Sequence, residues 1–250
     1  MILDLDVGNT RIKWRLQTGD NSTLLRGAVG VKAGDGSDGI AELVAQVVNA
    51  AAGKCSRVRI SSVRDAVFNK ALEAALQGGL HVNPEFAAVS RSCCGVTNSY
   101  DDYSRMGVDR WLAMIAAFQR ARGGCAVLDL GSAITFDVVN QAGEHQGGYI
   151  VPGFQLMLCS LTGKSSALNV NPAERQQPGP GKNTEEAIGD GLLAMVLGFA
   201  SRCRQETGVR PEDTTWFLTG GDAGRLSPHI AWEHRVVPDL VLEGLAHVLS

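Results

Sequence analysis

Two stretches of this chain repeat one pattern, 123 residues apart in a sequence of 250: "LDLDVGNTRI" at 3–12 and "AVLDLGSAIT" at 126–135. Each is an apolar run that carries an aspartate, then one residue, a glycine, a small polar residue and a second apolar alternation. In the first copy Leu3, Leu5 and Val7 alternate with Asp4 and Asp6, and Ile12, Trp14 and Leu16 alternate with Arg11, Lys13 and Arg15. A period of two predicts strands. Gly8-Asn9 between the runs predicts a tight hairpin, with the glycine expected to supply a positive φ. One such match is weak. Two, each opening half of the chain, predict a duplicated architecture of two lobes.

The segments between the two copies alternate in period. A strand is expected over 22–28, a helix over 40–51, a strand over 56–63, a helix over 65–77, an extended segment over 80–90, and a helix over 105–122 that stops at Gly123-Gly124. After the second hairpin, "QQPGPGKNT" (176–184) predicts a loop, 184–206 a long helix, and "WFLTGGDAG" (216–224) a strand running into a glycine turn. The expected fold class is α/β, with mixed sheets flanked by helices. The expected domains are 1–118 and 119–250.

A strand–Asp–x–Gly–polar–strand hairpin suits a nucleotide phosphate. A glycine turn lets several backbone N–H groups face one anion, and Thr10 and Lys13 add a hydroxyl and a positive charge nearby. Asp6 repels phosphate but can bind, through water, the Mg²⁺ that accompanies ATP. A solvated hairpin with exposed carboxylates would explain the first copy about as well. The second copy favours phosphate, because Asp129 sits in the apolar run 126–130, where an unpaired carboxylate is costly. Ser132 and Thr135 offer hydroxyls there, and Gly131 gives close approach. The expectation is two hairpins clamping a triphosphate across a cleft between the lobes, with Gly220 and Gly221 as bare backbone for the adenosine.

Between the lobes lies "NSYDDYSRMGVDRW" (98–111). A phosphotransferase needs a group that orients the acceptor hydroxyl and takes its proton late. Asp109 is the candidate, and Arg110 can bind a substrate carboxylate. The plainer reading is an Asp-Arg pair that only stabilises a helix start.

Other features exclude classes of function. A net charge of −3 with no basic run argues against nucleic acid. No apolar run is long enough for a bilayer span, and no leader pattern is visible, so a cytoplasmic protein is expected. The scattered cysteines Cys55, Cys93, Cys94, Cys125, Cys159 and Cys203 read as free thiols, with Cys93-Cys94 in a turn. His81, His145, His229, His234 and His247 lack metal-ligand spacing. Trp14, Trp111, Trp216 and Trp232 read as core, and Asp101-Asp102 as a solvated turn.

The ordered set "DVGNT", "NSY…MGVDR", "LDLGSAITFD", "GGYIVPG", "NTEEAIGDG" and "LTGGDA" resembles the type III pantothenate kinases, of the actin, hexokinase and heat-shock ATPase superfamily, over nearly the whole chain. The resemblance implies two ribonuclease-H-like domains. It also implies transfer of the γ-phosphoryl of ATP to pantothenate, the first step of coenzyme A biosynthesis. By the family pattern Asp6, Val7, Gly8, Asn9, Thr10, Arg11, Ile12 and Lys13 form the first phosphate segment, and Ser132 is the ATP contact in the second. Asp129 corresponds to the ligand of a monovalent cation, K⁺ or NH₄⁺. Asp109 corresponds to the proton acceptor, with Tyr100, Gly107, Val108, Arg110 and Thr184 on the substrate side. A homodimer is implied, with the helix 184–206 near its interface and Thr184 reaching the partner's substrate site. Ser132 stands where Thr is usual and Met106 where Leu is commoner. "CSLTGKSSAL" (159–168) departs from the pattern, so Lys164 receives no role. Two alternatives remain open at this point. One is a non-catalytic regulator, since some members were described as accessory factors for transcription. The other is a kinase or phosphatase of the same superfamily with a sugar, acetate or water as acceptor.

Overall fold

The computed structural model describes residues 1–19, 22–31, 37–162, 179–206 and 211–250. Lys164 and residues 176–178 of the expected loop lie outside them. The chain divides into two compact units, Met1–Ala116 with Asp239–Ser250, and Ala117–Pro238.

In the first unit β1 (Ile2–Val7) and β2 (Arg11–Gln17) form the expected hairpin, and β3 (Thr23–Gly30) continues it antiparallel. On the other side of β1, β4 (Arg57–Ser62) and β5 (Pro84–Phe86) pair in parallel, giving the order β3-β2-β1-β4-β5. Parallel neighbours need a crossover. The helices α1 (Ser37–Ala51) and α2 (Ala66–Leu80) supply them. Leu43, Leu72 and Leu76 from these helices are buried against Leu3, Leu5 and Ile60 of the sheet. Asp65 starts α2 by accepting the Phe68 N–H at 2.8 Å, and His81, at φ 58°, ends it in the left-handed region. A small hairpin follows, β6 (Ser92–Cys93) and β7 (Val96–Thr97), turned by Cys94 and Gly95 at φ 50° and 82°. Two positive φ values match the twist of a tight hairpin, so the vicinal cysteines are in a turn as expected. Helix α3 (Val108–Ala121) begins three residues later than expected: 103–105 form a 3-10 turn capped by Asp102, and Met106 is extended.

The second unit repeats the scheme. Strands β8 (Cys125–Leu130), β9 (Ala133–Val139) and β10 (His145–Pro152) form an antiparallel meander, and β11 (Thr215–Thr219) and β12 (Arg235–Val236) add in parallel. The order is β10-β9-β8-β11-β12, with the directions of the first sheet. Helices α4 (Phe154–Thr162), α5 (Thr184–Glu206) and α6 (Ala223–Leu226) lie on its connections. Burial of β2 and β9 agrees position for position: Arg11 and Ala133 exposed, Ile12 and Ile134 buried, Lys13 and Thr135 half-buried, and the remaining four positions of each strand buried. The duplication read from the sequence is a duplication of fold.

The structure corrects the account of the turns. Neither Gly8 nor Gly131 has a positive φ. At Gly8 the missing side chain serves close approach instead, since a Cβ there would lie 3.1 Å from the Arg11 carbonyl oxygen, whereas one on Gly131 would make ordinary contact at 3.4 Å with Ala133 O and Asp129 Oδ1. The first turn is also one residue longer, since residues 8–10 separate β1 from β2 but only 131–132 separate β8 from β9.

The C-terminal segment, placed by the sequence reading at the end of 119–250, packs in the first unit. Helix α7 (Leu240–Val248) lies on β1 and β4 with Leu240, Leu242 and Leu245 buried. A Cβ on Gly244 would collide with the Leu112 carbonyl, so only glycine lets α7 approach α3 this closely. A buried ionic cluster ties α7 down. Asp4 Oδ1 accepts Arg59 Nε at 2.7 Å, while Oδ2 accepts Arg15 Nη2 at 2.8 Å, Gln17 Nε2 at 2.9 Å and Arg59 Nη2 at 3.2 Å. The same guanidiniums reach Leu242 O at 2.9 Å and Leu249 O at 3.4 Å. Asp4 is therefore a structural acid, and Asp6 alone is left for the turn.

Candidate functional site

In the first unit Asp6 sits at the C-terminal end of β1, half-buried between buried Leu5 and Val7. It lies across the ladder from Lys13 on one side and from Ser61 on the other. Asn9, Thr10 and Arg11 are exposed, while Val7 and Ile12 belong to the core. The turn is held in shape by backbone bonds: Gly8 N to Arg11 O at 3.0 Å and Val31 N to Thr10 O at 2.9 Å. Arg64, which the sequence reading did not single out, donates to the Asn9 carbonyl at 3.2 Å. The segment expected to carry phosphate thus divides into buried residues that position it and polar ones that face out.

Also in the first unit, the acceptor-side candidates gather at the start of α3. Asp109 is half-buried in the first turn, and its Oδ1 accepts the Arg110 N–H at 2.8 Å. A Cβ on Gly107 would fall 2.5 Å from that oxygen, so glycine there gives the carboxylate its room. Val108 is buried, and the Gly107 carbonyl accepts the Trp111 N–H at 3.1 Å. Arg110 is 7% exposed; its Nη1 donates to Tyr100 Oη at 2.8 Å, and its guanidinium lies 5.7 Å from the Tyr100 ring centroid. Two residues ten apart in sequence thereby become one donor–acceptor unit beside Asp109. The carboxylate also stabilises the helix start, so the plainer reading of Asp109 is met as well. Asn98, buried, accepts the Tyr100 N–H at 3.0 Å and donates to Met106 Sδ at 3.3 Å, which ties this loop to the segment that leads into α3.

In the second unit Asp129 takes the place that Asp6 has in the first. It is half-buried near the end of β8, across from Thr135 and Thr219. Gly220 has φ 90°, and a Cβ there would lie 2.5 Å from Asp129 Oδ1 and from the Leu130 carbonyl. The glycine turn after β11 therefore packs directly on Asp129, and Asp222 N donates to Leu130 O at 3.0 Å. Ser132 is exposed; its carbonyl accepts the Gly153 N–H at 3.1 Å, and any Cβ on Gly153 would strike the Gly131 carbonyl. That explains the glycine directly after β10: Gly153 seats the second turn. Gly221 follows Gly220 in the same turn. Thr184 is exposed at the start of α5, where Asn183 Oδ1 caps the helix by accepting the Glu186 N–H at 2.9 Å. Asp129 is thus flanked in the ladder by two threonines, with the bare backbone of Gly220 against it, while the Thr219 hydroxyl is turned to the Pro238 carbonyl at 3.4 Å. Among the described residues no cluster of His, Cys, Asp and Glu forms a transition-metal site, and no helix is long and apolar enough to cross a membrane.

Several expectations outside the site also meet the structure. Trp111, Trp216 and Trp14 are buried and Trp232 is partly so. His145 bonds Asp137 at 3.0 Å and His234 bonds Ser227 at 2.8 Å, as locally hydrogen-bonded side chains.

Comparison with known proteins bears on the family and the fold. The sequence profile of the type III pantothenate kinases matches residues 2–206. A type III pantothenate kinase of Pseudomonas putida (strain W619) is 39% identical over 251 residues, covering 98% of each chain. Among solved structures, a conserved Campylobacter jejuni protein described under the Baf family of transcriptional activators superposes with a TM-score of 0.60 at 18% identity, over 99% of this chain and 96% of that one. Component A of the (R)-2-hydroxyglutaryl-CoA dehydratase of Acidaminococcus fermentans gives 0.54 at 15% identity, over 99% and 96%. The last two show a shared fold, and the extent and identity of the sequence matches show the family: this chain belongs to the type III pantothenate kinases.

Proposed function

We propose that this protein transfers the γ-phosphoryl of ATP to the primary hydroxyl of pantothenate, giving 4′-phosphopantothenate. The observation that carries the reading is the Arg110–Tyr100 pair beside Asp109 in a chain of this family, a carboxylate-binding guanidinium next to an acid that can face a hydroxyl. Pantothenate has both groups, one at each end.

In this reading Arg110 and Tyr100 anchor the substrate's polar tail, and Gly107 and Val108 shape the wall that presents Asp109 to the hydroxyl. Asp109 orients that hydroxyl and accepts its proton as the new P–O bond forms. An aspartate with its ordinary pKa of about 3.9 is a weak base for an alcohol, so positioning contributes most. The Asp6–Lys13 turn binds phosphate oxygens through the polar groups of Asn9, Thr10, Arg11 and Lys13. Ser132 contacts ATP from the second turn, and Gly220 and Gly221 receive the adenosine. Mg²⁺, held through water by Asp6, and K⁺ or NH₄⁺ at Asp129 offset phosphate charge when bound. A monovalent ion at Asp129 would offset that charge without the strict geometry that Mg²⁺ demands.

The protein is further proposed to act as a cytoplasmic homodimer. Ile150 on β10, Leu156 and Leu161 on α4, and Met195 on α5 are large apolar side chains that are half or more exposed in one unit, apolar surface that a second copy would cover. Thr184, on the same helix as Met195, would then serve the partner's substrate site. A one-chain mass in solution at micromolar concentration would count against this assembly.

The deciding experiment is ADP release with ATP and Mg²⁺, with and without pantothenate, in Na⁺ and in K⁺ buffer. Turnover that requires pantothenate and rises with K⁺ is expected. Asp109→Asn should keep the fold and ATP binding and lose about two to four decades of kcat. Near-normal turnover by that variant would remove Asp109 from its role.

A further inference from the structure

Arg91 is outside every motif the family resemblance uses, yet its guanidinium donates to three backbone carbonyls of the acceptor-side loop. Its Nη1 donates to Asn98 O at 3.2 Å and to Tyr100 O at 2.8 Å, and its Nη2 donates to Asp101 O at 2.8 Å. The guanidinium also lies 5.2 Å from the ring centroid of Tyr103, over the next turn. The contact is returned through the main chain, since Asn98 N donates to Arg91 O at 2.9 Å. The strand pair β6–β7 between them folds 92–97 back on itself, which brings position 91 alongside 98–101.

This geometry fixes the loop on both sides of Tyr100. Three carbonyls that would otherwise rotate with a solvated loop point at one planar cation. Tyr100 N is held in turn by Asn98 Oδ1, so the direction of the Tyr100 side chain follows from Arg91 and Asn98 together. That side chain sets Arg110, through the 2.8 Å bond to its hydroxyl. A planar fork of donors can meet several carbonyls at once, whereas a lysine ammonium on its flexible stem cannot hold the same pattern.

We propose that Arg91 is a positioning residue for the acceptor site, acting through the backbone of 98–101 on Tyr100 and Arg110. The inference rests on the proposed pantothenate kinase reading and adds a residue to it. Among the described residues the hydrogen bonds of the Arg91 side chain run to the backbone of 98–101, so its loss should weaken acceptor binding selectively.

The test compares Arg91→Lys and Arg91→Gln with the parent enzyme, measuring KM for pantothenate, KM for ATP and kcat, alongside amide hydrogen exchange of 98–103 in the full chain. Expected results are a rise of about tenfold in KM for pantothenate for both variants, KM for ATP within about twofold, kcat within about threefold, and faster exchange at the Tyr100 amide. Failure of lysine to restore KM marks the fork rather than the charge. Unchanged exchange at Tyr100, or an equal rise of both KM values, would overturn the positioning role. Parent enzyme without pantothenate-dependent turnover overturns the kinase reading itself. Parent turnover with unchanged KM in both variants overturns only the role of Arg91.

Discussion

Asp4 and Asp6 stand two residues apart on one strand, and changing each to asparagine should have opposite consequences. Asp4 is fully buried and is the carboxylate partner of Arg15 and Arg59, whose side chains are 7% and 3% exposed. Asp4→Asn keeps shape and volume but leaves two buried guanidiniums facing an amide. Breaking a buried pair in this way costs about 3–5 kcal/mol. In a chain of this size that corresponds to a fall in Tm of roughly 6–20 °C. Because Arg15 and Arg59 also hold Leu242 O and Leu249 O, the loss should appear first at the C-terminal helix. Thermal unfolding followed by circular dichroism gives the total, and limited proteolysis shows whether 240–250 are released early. Asp6→Asn, half-exposed at a strand end, should cost less than about 1 kcal/mol while lowering turnover. A loss below about 1 kcal/mol for Asp4→Asn would refute the claim that the cluster anchors α7. Replacing Asp4, Arg15 and Arg59 together by apolar residues of similar volume should recover most of the loss, since a buried ionic triad is often no more stabilising than good packing.

Gly220→Ala places a Cβ 2.5 Å from Asp129 Oδ1 at φ 90°, so it should cost at least about 1 kcal/mol and abolish any stimulation of turnover by K⁺; thermal unfolding and rates in Na⁺ and K⁺ buffers check both. Burial pushes the Cys125 thiol from 9.0 up to about 12. In the unfolded chain the thiol ionises near its ordinary value, so the stability tied to its neutral form is complete below about pH 8.5 and is lost as pH rises from there toward 12. Cys125→Ala should flatten that alkaline decline in urea titrations, and iodoacetamide at pH 8 should label Cys94 and Cys159, both exposed, before Cys125.

The two hairpins were legible because their signals are short and periodic. Alternation at a period of two, an aspartate before a glycine and the same order 123 residues later need no knowledge of what packs against them. The long helix over 184–206 was legible from the Gly-Pro-rich segment that precedes it, and the structure adds Asn183 as its cap. The strand at 145–152 was not, because an edge strand exposed at most positions, with Gly147 and Gly148 in it, lacks alternation. The late start of α3 was missed because Asp102 caps a separate turn ahead of it.

By itself, then, the sequence determined the fold class, the duplication and the residue types at the turns, all of which are set by neighbours a few positions away. Tertiary structure decided what each residue is for. Asp4 and Asp6 look alike in the sequence, and only the approach of Arg59, 55 residues on, makes one structural and leaves the other at the turn. Gly220 reads in the sequence as bare backbone for an adenosine, and only the packing of β11 beside β8 shows that its missing side chain makes room for Asp129. The C-terminal helix returns to the first unit through bonds to Arg15 that span 227 residues. Contacts of that range follow from burying apolar faces and pairing the charges trapped among them, and no local pattern encodes which partner arrives.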